Sequence, residues 1–190
     1  MEMQEYFQQE IEKEDWISYY DEPTRKVKYK YENGLNLVSC LCEATVDAPI
    51  MNLLAMFCEV DLFKNWFPNV TCCKPLKLLT PTKGLYTCLQ TMPWPVWPRD
   101  MTFTASGMFD RKNNGLLTVL KSVPDDGKYF GSSIPAVEDG HVRIDIQRGF
   151  HYFQRIDDNT TKYINIFNAD PKLSYTPNWF MNFMMTKVCY

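Results

Sequence analysis

The thiol and imidazole side chains of this chain, seven cysteines and two histidines, are candidates for nucleophilic or zinc chemistry, and their spacing limits what they can do. Cys40-Leu41-Cys42 and Cys72-Cys73 lack the spacing of zinc ligands, and only His141 and His151 could complete such a site. The sequence therefore predicts no metal centre. A Cys/His nucleophilic pair meets in space and not in sequence order, so the spacing leaves that possibility open. No G-x-S-x-G elbow and no evident acid/base pair is present, which points away from an enzyme and toward a binding protein with no cofactor.

A second group of residues is arranged for contact with apolar surfaces. In QTMPWPVWPRDMTF, Gln90 to Phe103, the indoles of Trp94 and Trp97 alternate with Pro93, Pro95 and Pro98. Proline lacks the N–H that a helix or a central strand requires, so the stretch reads as a loop. An apolar loop is unusual, because connections run over the surface. Either both rings tuck back into the core, or the loop enters a membrane interface or covers an apolar pocket, where an amphipathic indole is at home.

The rest of the chain must hold that loop. At 190 residues it is one domain by length, large enough for one core or a core with an internal cavity. Aromatics at 15% and 10 methionines suit an adaptable apolar interior. A net charge of −3 and a pI near 5.4 provide no general field for nucleic acid. The basic run Arg25 to Lys30 reads as a solvated strand edge. The cysteine count is odd and the N-terminal residues are acidic, with no apolar core of a signal peptide. Both suggest free thiols in a reducing, cytoplasmic setting. No uninterrupted apolar run reaches the roughly 18 residues of a membrane-spanning helix.

Local patterns predict the elements. Residues 2–20 carry helix formers, with Phe7 and Ile11 on one face that docks on the body. Lys26 to Lys30 alternates as a strand, Asn33-Gly34 is a hairpin turn, and Leu35 to Val46 returns with Val38, Cys40, Cys42, Ala44 and Val46 on one side. Asp47 reads as the N-cap of a short helix presenting Ile50, Leu53, Leu54 and Phe57, and Asp61 opens another helical turn ending at Pro68. Six strand candidates follow: Lys74–Thr80, Leu85–Gln90, Arg99–Phe109, Leu116–Val123, His141–Ile156 and Lys162–Ala169. The short turns between them favour antiparallel pairing. Thr176-Pro177 begins a terminal helix that is apolar nearly all round, so a curved sheet wrapped around that helix, with a cavity between, closes the set.

An ordered series of residues gives the chain a resemblance over nearly its whole length. It comprises the Trp16 segment; Ala48-Pro49-Ile50; Asp61-Leu62 with Trp66; Pro98-Arg99-Asp100 closing the aromatic loop; Gly140-His141-Val142-Arg143 with Gly149; and Asp170-Pro171, Pro177-Asn178-Trp179 and Asn182. In this series the chain resembles the START family, the lipid-transfer domains related to the steroidogenic acute regulatory protein. The resemblance implies one START-like domain over 1–190, an α+β helix-grip fold. A curved antiparallel sheet would wrap around a C-terminal lid helix, 176–190, and enclose a hydrophobic tunnel for one lipid.

The implied function is carriage of a phospholipid, sphingolipid or sterol between membranes by a monomer that touches the membrane surface transiently. A lipid-sensing interaction module without transfer activity is the alternative, followed by an enzyme on the same scaffold, such as a hydrolase or cyclase with the tunnel as its active site. The implied gate is Trp94, Val96 and Trp97 with Phe180, Phe183, Met184 and Val188 of the helix. A buried headgroup needs polar partners, for which Gln90, Arg143, Asp145 and Asn165 are candidates; for Arg143 a structural pairing is equally open. Arg99 and Asp100 are expected to pair and pin the base of the loop.

Two departures from the family stand out. Sterol- and phosphatidylcholine-binding relatives carry an arginine where this chain has Ala105, and positions that contact ceramide in others are replaced by apolar residues such as Phe67 and Leu120. The terminal helix spans about 21 Å from Pro177 to Tyr190 at 1.5 Å per residue, implying an abbreviated or cut lid.

Overall fold

The computed structural model describes residues 3–32, 38–125, 127–173 and, beyond those, 179, 183 and 186. Its elements are α1 (Met3–Ile11), β1 (Ile17–Glu22), β2 (Arg25–Tyr31), β3 (Val38–Val46), α2 (Ile50–Cys58), a 3-10 turn Val60–Asn65, β4 (Val70–Thr80), β5 (Lys83–Gln90), β6 (Arg99–Asp110), β7 (Gly115–Ser122), the short hairpin β8 (Lys128–Tyr129) and β9 (Ser132–Ser133), β10 (Val142–Arg143), β11 (Asp145–Arg155) and β12 (Thr161–Asp170). One sheet runs in the order β1-β2-β3-β12-β11-β7-β6-β5-β4, and it is open, with β1 and β4 at its two edges. The pairings along it are antiparallel; β10 alone pairs in parallel, Val142 and Arg143 lying beside Arg99 and Asp100 of β6.

The predicted Phe7 face docks as expected. Phe7 is fully buried, its ring 5.6 Å from Phe150 and 5.2 Å from Tyr152. Leu41, Leu117, Ile164 and Ile166 complete this layer between α1 and the outer face of the sheet. The helix is nevertheless shorter than the 2–20 expected. It stops at Ile11, the indole N–H of Trp16 donates to the Glu10 carbonyl at 2.9 Å, and Ile17–Glu22 is an edge strand. Tyr19 and Tyr20 favour a pleated surface, and pairing with β2 outweighs the weak helical propensity of this segment.

Other expectations are corrected. The Arg25–Lys30 run is not an edge, because β1 covers it. Lys30 is buried with its Nζ 2.6 Å from Glu10, also 3.3 Å from Asp15 and 4.7 Å from the Trp16 ring centroid. Asp47 does not cap α2: Pro49 occupies the N-cap position with no side-chain hydrogen bond. The single strand predicted over His141–Ile156 is broken at Ile144, because β10 leaves the β11 line to pair with β6. The Asn33-Gly34 turn and most of the terminal helix lie outside the described residues; β2 and β3 do pair antiparallel, Tyr31 opposite Val38.

Candidate functional site

The inner face of the sheet, opposite α1, is built from cross-strand rows. Cys42, Asn165, His151, Thr118 and Gly107 are successively opposed on β3, β12, β11, β7 and β6. A parallel row runs Cys40, Phe167, Gly149, Leu120, Ala105, and another Ala44, Tyr163, Phe153, Leu116, Phe109. Directly opposed residues share a face, so the side on which Cys40, Cys42 and Ala44 were expected together is this one.

Burial differs between the two faces in a way that matters. Beneath α1, Leu41, Leu117, Phe150, Tyr152, Ile164 and Ile166 are fully buried, whereas Cys42, Ala105, Leu116, Thr118, Leu120, Asn165 and Phe167 on the inner face are half-buried. Small residues help leave that face open. Gly149 approaches Leu120 so closely that an added Cβ would lie 2.7 Å from the Leu120 Cβ, and Ala105 and Gly107 add little bulk. One end of the face is covered by α2, whose Phe57 ring lies 5.1 Å from His151, 5.0 Å from Phe153 and 5.5 Å from Tyr163. Phe63 and Phe67, stacked at 5.9 Å, pack beside Tyr86, Leu120 and Phe167.

A polar group sits within this apolar setting. The Asn165 amide nitrogen donates to the Phe150 carbonyl at 3.0 Å and lies 3.1 Å from His151 Nδ1, and the Tyr163 hydroxyl is 2.6 Å from the same Nδ1. Enclosure by apolar groups pushes the His151 pKa down to about 4, so the ring is neutral at physiological pH.

The aromatic loop follows β5. Trp94 is 92% and Trp97 60% exposed, so neither indole packs into the core as the alternative reading had it. A cavity of about 330 Å³ lies at the loop base, among Val96, Trp97, Arg99, Val142, Leu173 and Trp179. The expected Arg99–Asp100 pair does not form, because successive strand residues point to opposite sides. The Arg99 guanidinium donates to the Pro171 carbonyl at 3.0 and 2.7 Å and to the Trp97 carbonyl at 2.6 Å, tying the loop to the end of β12. Asp100 pairs with Arg143 instead, at 2.7 Å.

The remaining candidates for polar contacts are placed as follows. Arg143 is engaged at all three nitrogens, by Asp100, by Asp125 at 2.8 Å and by the Pro135 carbonyl at 2.8 Å. Gln90 is buried and donates to the Pro68 carbonyl at 3.1 Å. Asp145 is not interior: its carboxylate, 46% exposed, pairs with Lys172 at 2.7 Å. Gln90, opposite Arg99, has the inner-face alternation but lies at the far end of β5, and Asn165 alone of the four is brought together with His151 and Tyr163. Those two were not among the sequence candidates, although the period-2 spacing of Gly149, His151 and Phe153 could have placed His151 there. Of the gate residues, Phe183 is half-buried, and Phe180, Met184 and Val188 lie outside the described residues. Among the described residues, no group of three His, Cys, Asp or Glu could hold a metal ion, and the six described cysteines are free.

An open antiparallel sheet with a helix across its outer face and an aromatic loop at one end defines a fold class found in lipid-transfer proteins. No family model matches the chain, and no curated protein matches it in sequence. Among solved structures, it is similar to a STAR-related lipid transfer protein from Xanthomonas axonopodis (22% identity, 92% of each chain covered, TM-score 0.75). It is also similar to human STARD10 (20% identity, 98% of this chain and 76% of that one, TM-score 0.79) and to human StAR-related lipid transfer protein 5 (14%, 97% and 88%, TM-score 0.77). The chain thus has the START fold, as the sequence resemblance implied.

Proposed function

We propose that this chain binds one lipid molecule over the inner face of the sheet and carries it between membranes, as a monomer in the cytoplasm that touches membranes peripherally. The observation that carries this reading is apolar surface left half-buried on the inner face, at Ala105, Leu116, Leu120 and Phe167, where the corresponding Leu41, Leu117, Phe150, Tyr152, Ile164 and Ile166 beneath α1 are fully buried. An apolar face of that extent needs an occupant. Removing an acyl chain from water is worth about 0.8 kcal/mol per CH₂, so a protein that accepts the chain offsets most of the cost of leaving a bilayer. The names of the structural neighbours, lipid transfer proteins, support the same reading.

The exposed Trp94 and Trp97 are suited to the membrane interface, and Val96 and Trp97 at the 330 Å³ cavity make the loop the natural gate. Among the described residues no helix is long and apolar enough to cross a membrane, so contact through this loop is the route proposed. Native mass spectrometry after incubation with mixed liposomes tests the reading. One lipid per chain is the expected result; a protein that stays empty beside every lipid class refutes it.

A further inference from the structure

Asn165 defines the protonation of its histidine neighbour. Its amide nitrogen donates to the Phe150 carbonyl, which can only accept, so the atom 3.1 Å from His151 Nδ1 is the N–H₂ end of the amide. That group can only donate to Nδ1, and the Tyr163 hydroxyl, 2.6 Å from the same atom, is able to donate to it as well. A neutral imidazole that accepts at Nδ1 carries its proton on Nε2. Among the described residues Nε2 has no hydrogen-bond partner, although the ring is enclosed among Phe57, Phe153 and Tyr163. His151 is half-buried on the open face, so an occupant that excludes water there without offering an acceptor would leave this N–H unsatisfied, which is costly.

The charges around this N–H are equally informative. In the three rows between β3 and β6 no side chain is charged. Two cations of β6 and β11 share the alternation of this face at strand ends and both are engaged: Arg99 by the Pro171 and Trp97 carbonyls and Arg155 by Asp158, whereas Glu43 pairs with Lys162 at 2.9 Å and Arg148 with Glu10 at 3.2 Å on the other side. Arg25, at the β2 margin opposite Ala44, is held 5.0 Å above the Tyr20 ring. A phosphate or carboxylate beside His151 would meet no cation in the surrounding rows, and the cost of burying an unpaired charge is far larger than that of a hydroxyl.

We propose that the His151 Nε2–H, with the Thr118 hydroxyl on the adjoining strand, receives the polar end of an uncharged lipid bearing a hydroxyl or carbonyl oxygen, and that this face rejects lipids with an ionised headgroup. The inference rests on the reading that a lipid occupies the inner face. It assigns headgroup selection to β7, β11 and β12 and not to Arg143, engaged at all three nitrogens, or to Gln90, whose amide is tied to the Pro68 carbonyl.

The test uses the whole chain and phosphatidylcholine vesicles carrying radiolabelled diacylglycerol, ceramide or phosphatidate, with lipid counted on the re-isolated protein. Diacylglycerol or ceramide should be captured at least about tenfold better than phosphatidate. His151→Phe, which keeps the ring volume, should lower that capture about five- to tenfold, and Thr118→Val by less, consistent with loss of one hydrogen bond. Long-range proton–nitrogen NMR of the free protein should show the Nε2–H tautomer at pH 7, with the Nε2 shift moving when diacylglycerol vesicles are added. Equal capture of phosphatidate, unchanged capture by His151→Phe or an Nδ1–H tautomer would each overturn the headgroup assignment while leaving lipid binding intact. Capture of none of the three lipids, nor of phosphatidylcholine itself, would instead remove the lipid-binding reading and this inference with it.

Discussion

Arg143 Nε lies 2.7 Å from Asp100 Oδ1, and the two side chains are 8% and 4% exposed. This pair joins the parallel strand β10 to the start of β6, immediately after the aromatic loop. Neighbouring acidic groups hold the guanidinium charged, pushing its pKa up although burial alone would lower it. Removing one partner of such a pair leaves an unpaired buried charge, at about 3–5 kcal/mol. Arg143→Ala should therefore lower the Tm by roughly 6–20 °C for a domain of this size. Arg143→Lys should also destabilise, because an ammonium cannot reach Asp100, Asp125 and the Pro135 carbonyl at once. Calorimetry on the two variants measures this, and a Tm within a degree of wild type for both would show the pair to be dispensable.

Acid should loosen α1 through Glu10. Burial alone would raise this carboxyl's pKa, but hydrogen bonds from Lys13 and Lys30 and the charges of Lys30 and Arg148 outweigh it, so the folded value lies below 4.5. A carboxyl with a depressed folded pKa stabilises the fold above its unfolded pKa, and that stabilisation is lost as pH falls through the folded one. Glu10→Gln should cost about 3 kcal/mol near neutrality, and the gap between variant and wild type should close below about pH 4. Urea unfolding followed across pH 3 to 7 provides the comparison; a gap that persists unchanged at pH 3 contradicts the assignment.

His151 acts on a different pH window. Its folded pKa, about 4, is below the ordinary 6.5 because burial disfavours the charged ring. The unfolded chain thus takes up a proton first, and stability falls as pH drops from about 6.5 toward 4, by on the order of 3 kcal/mol in total. His151→Phe should flatten the stability curve over that interval. A variant whose stability still falls as steeply as wild type between pH 6.5 and 4 would show that other groups dominate there.

The gate is tested at the loop. Trp94 is so exposed that removing its ring should leave the fold within about 0.5 kcal/mol of wild type. The double replacement of Trp94 and Trp97 by Ala should slow lipid transfer between vesicles severalfold by removing the interfacial indoles. Unchanged transfer by a normally folded double variant would assign membrane contact elsewhere.

What the sequence determined by itself is local. The spacing of Phe7 and Ile11, the alternation of β3, the prolines around Trp94 and Trp97 and the turns between strands each involve residues a few positions apart, where backbone geometry dictates which side chains share a face. Those patterns, with the order of START-like motifs, were enough for the antiparallel sheet, the apolar loop and the fold class. Position in the sheet was not legible: Lys30 looks like a solvated edge residue until β1 covers β2 and Glu10 arrives from α1. Nor could composition assign partners. Arg99 stands next to Asp100 in the chain, yet strand alternation separates their side chains, and a parallel pairing 43 positions away supplies Arg143 instead. The His151, Asn165 and Tyr163 group depends on the β11–β12 register, in which a slip of one residue would put His151 on the opposite face from Asn165 and Tyr163. Such choices come from burial and charge pairing between segments remote in sequence, and only the tertiary structure decides them.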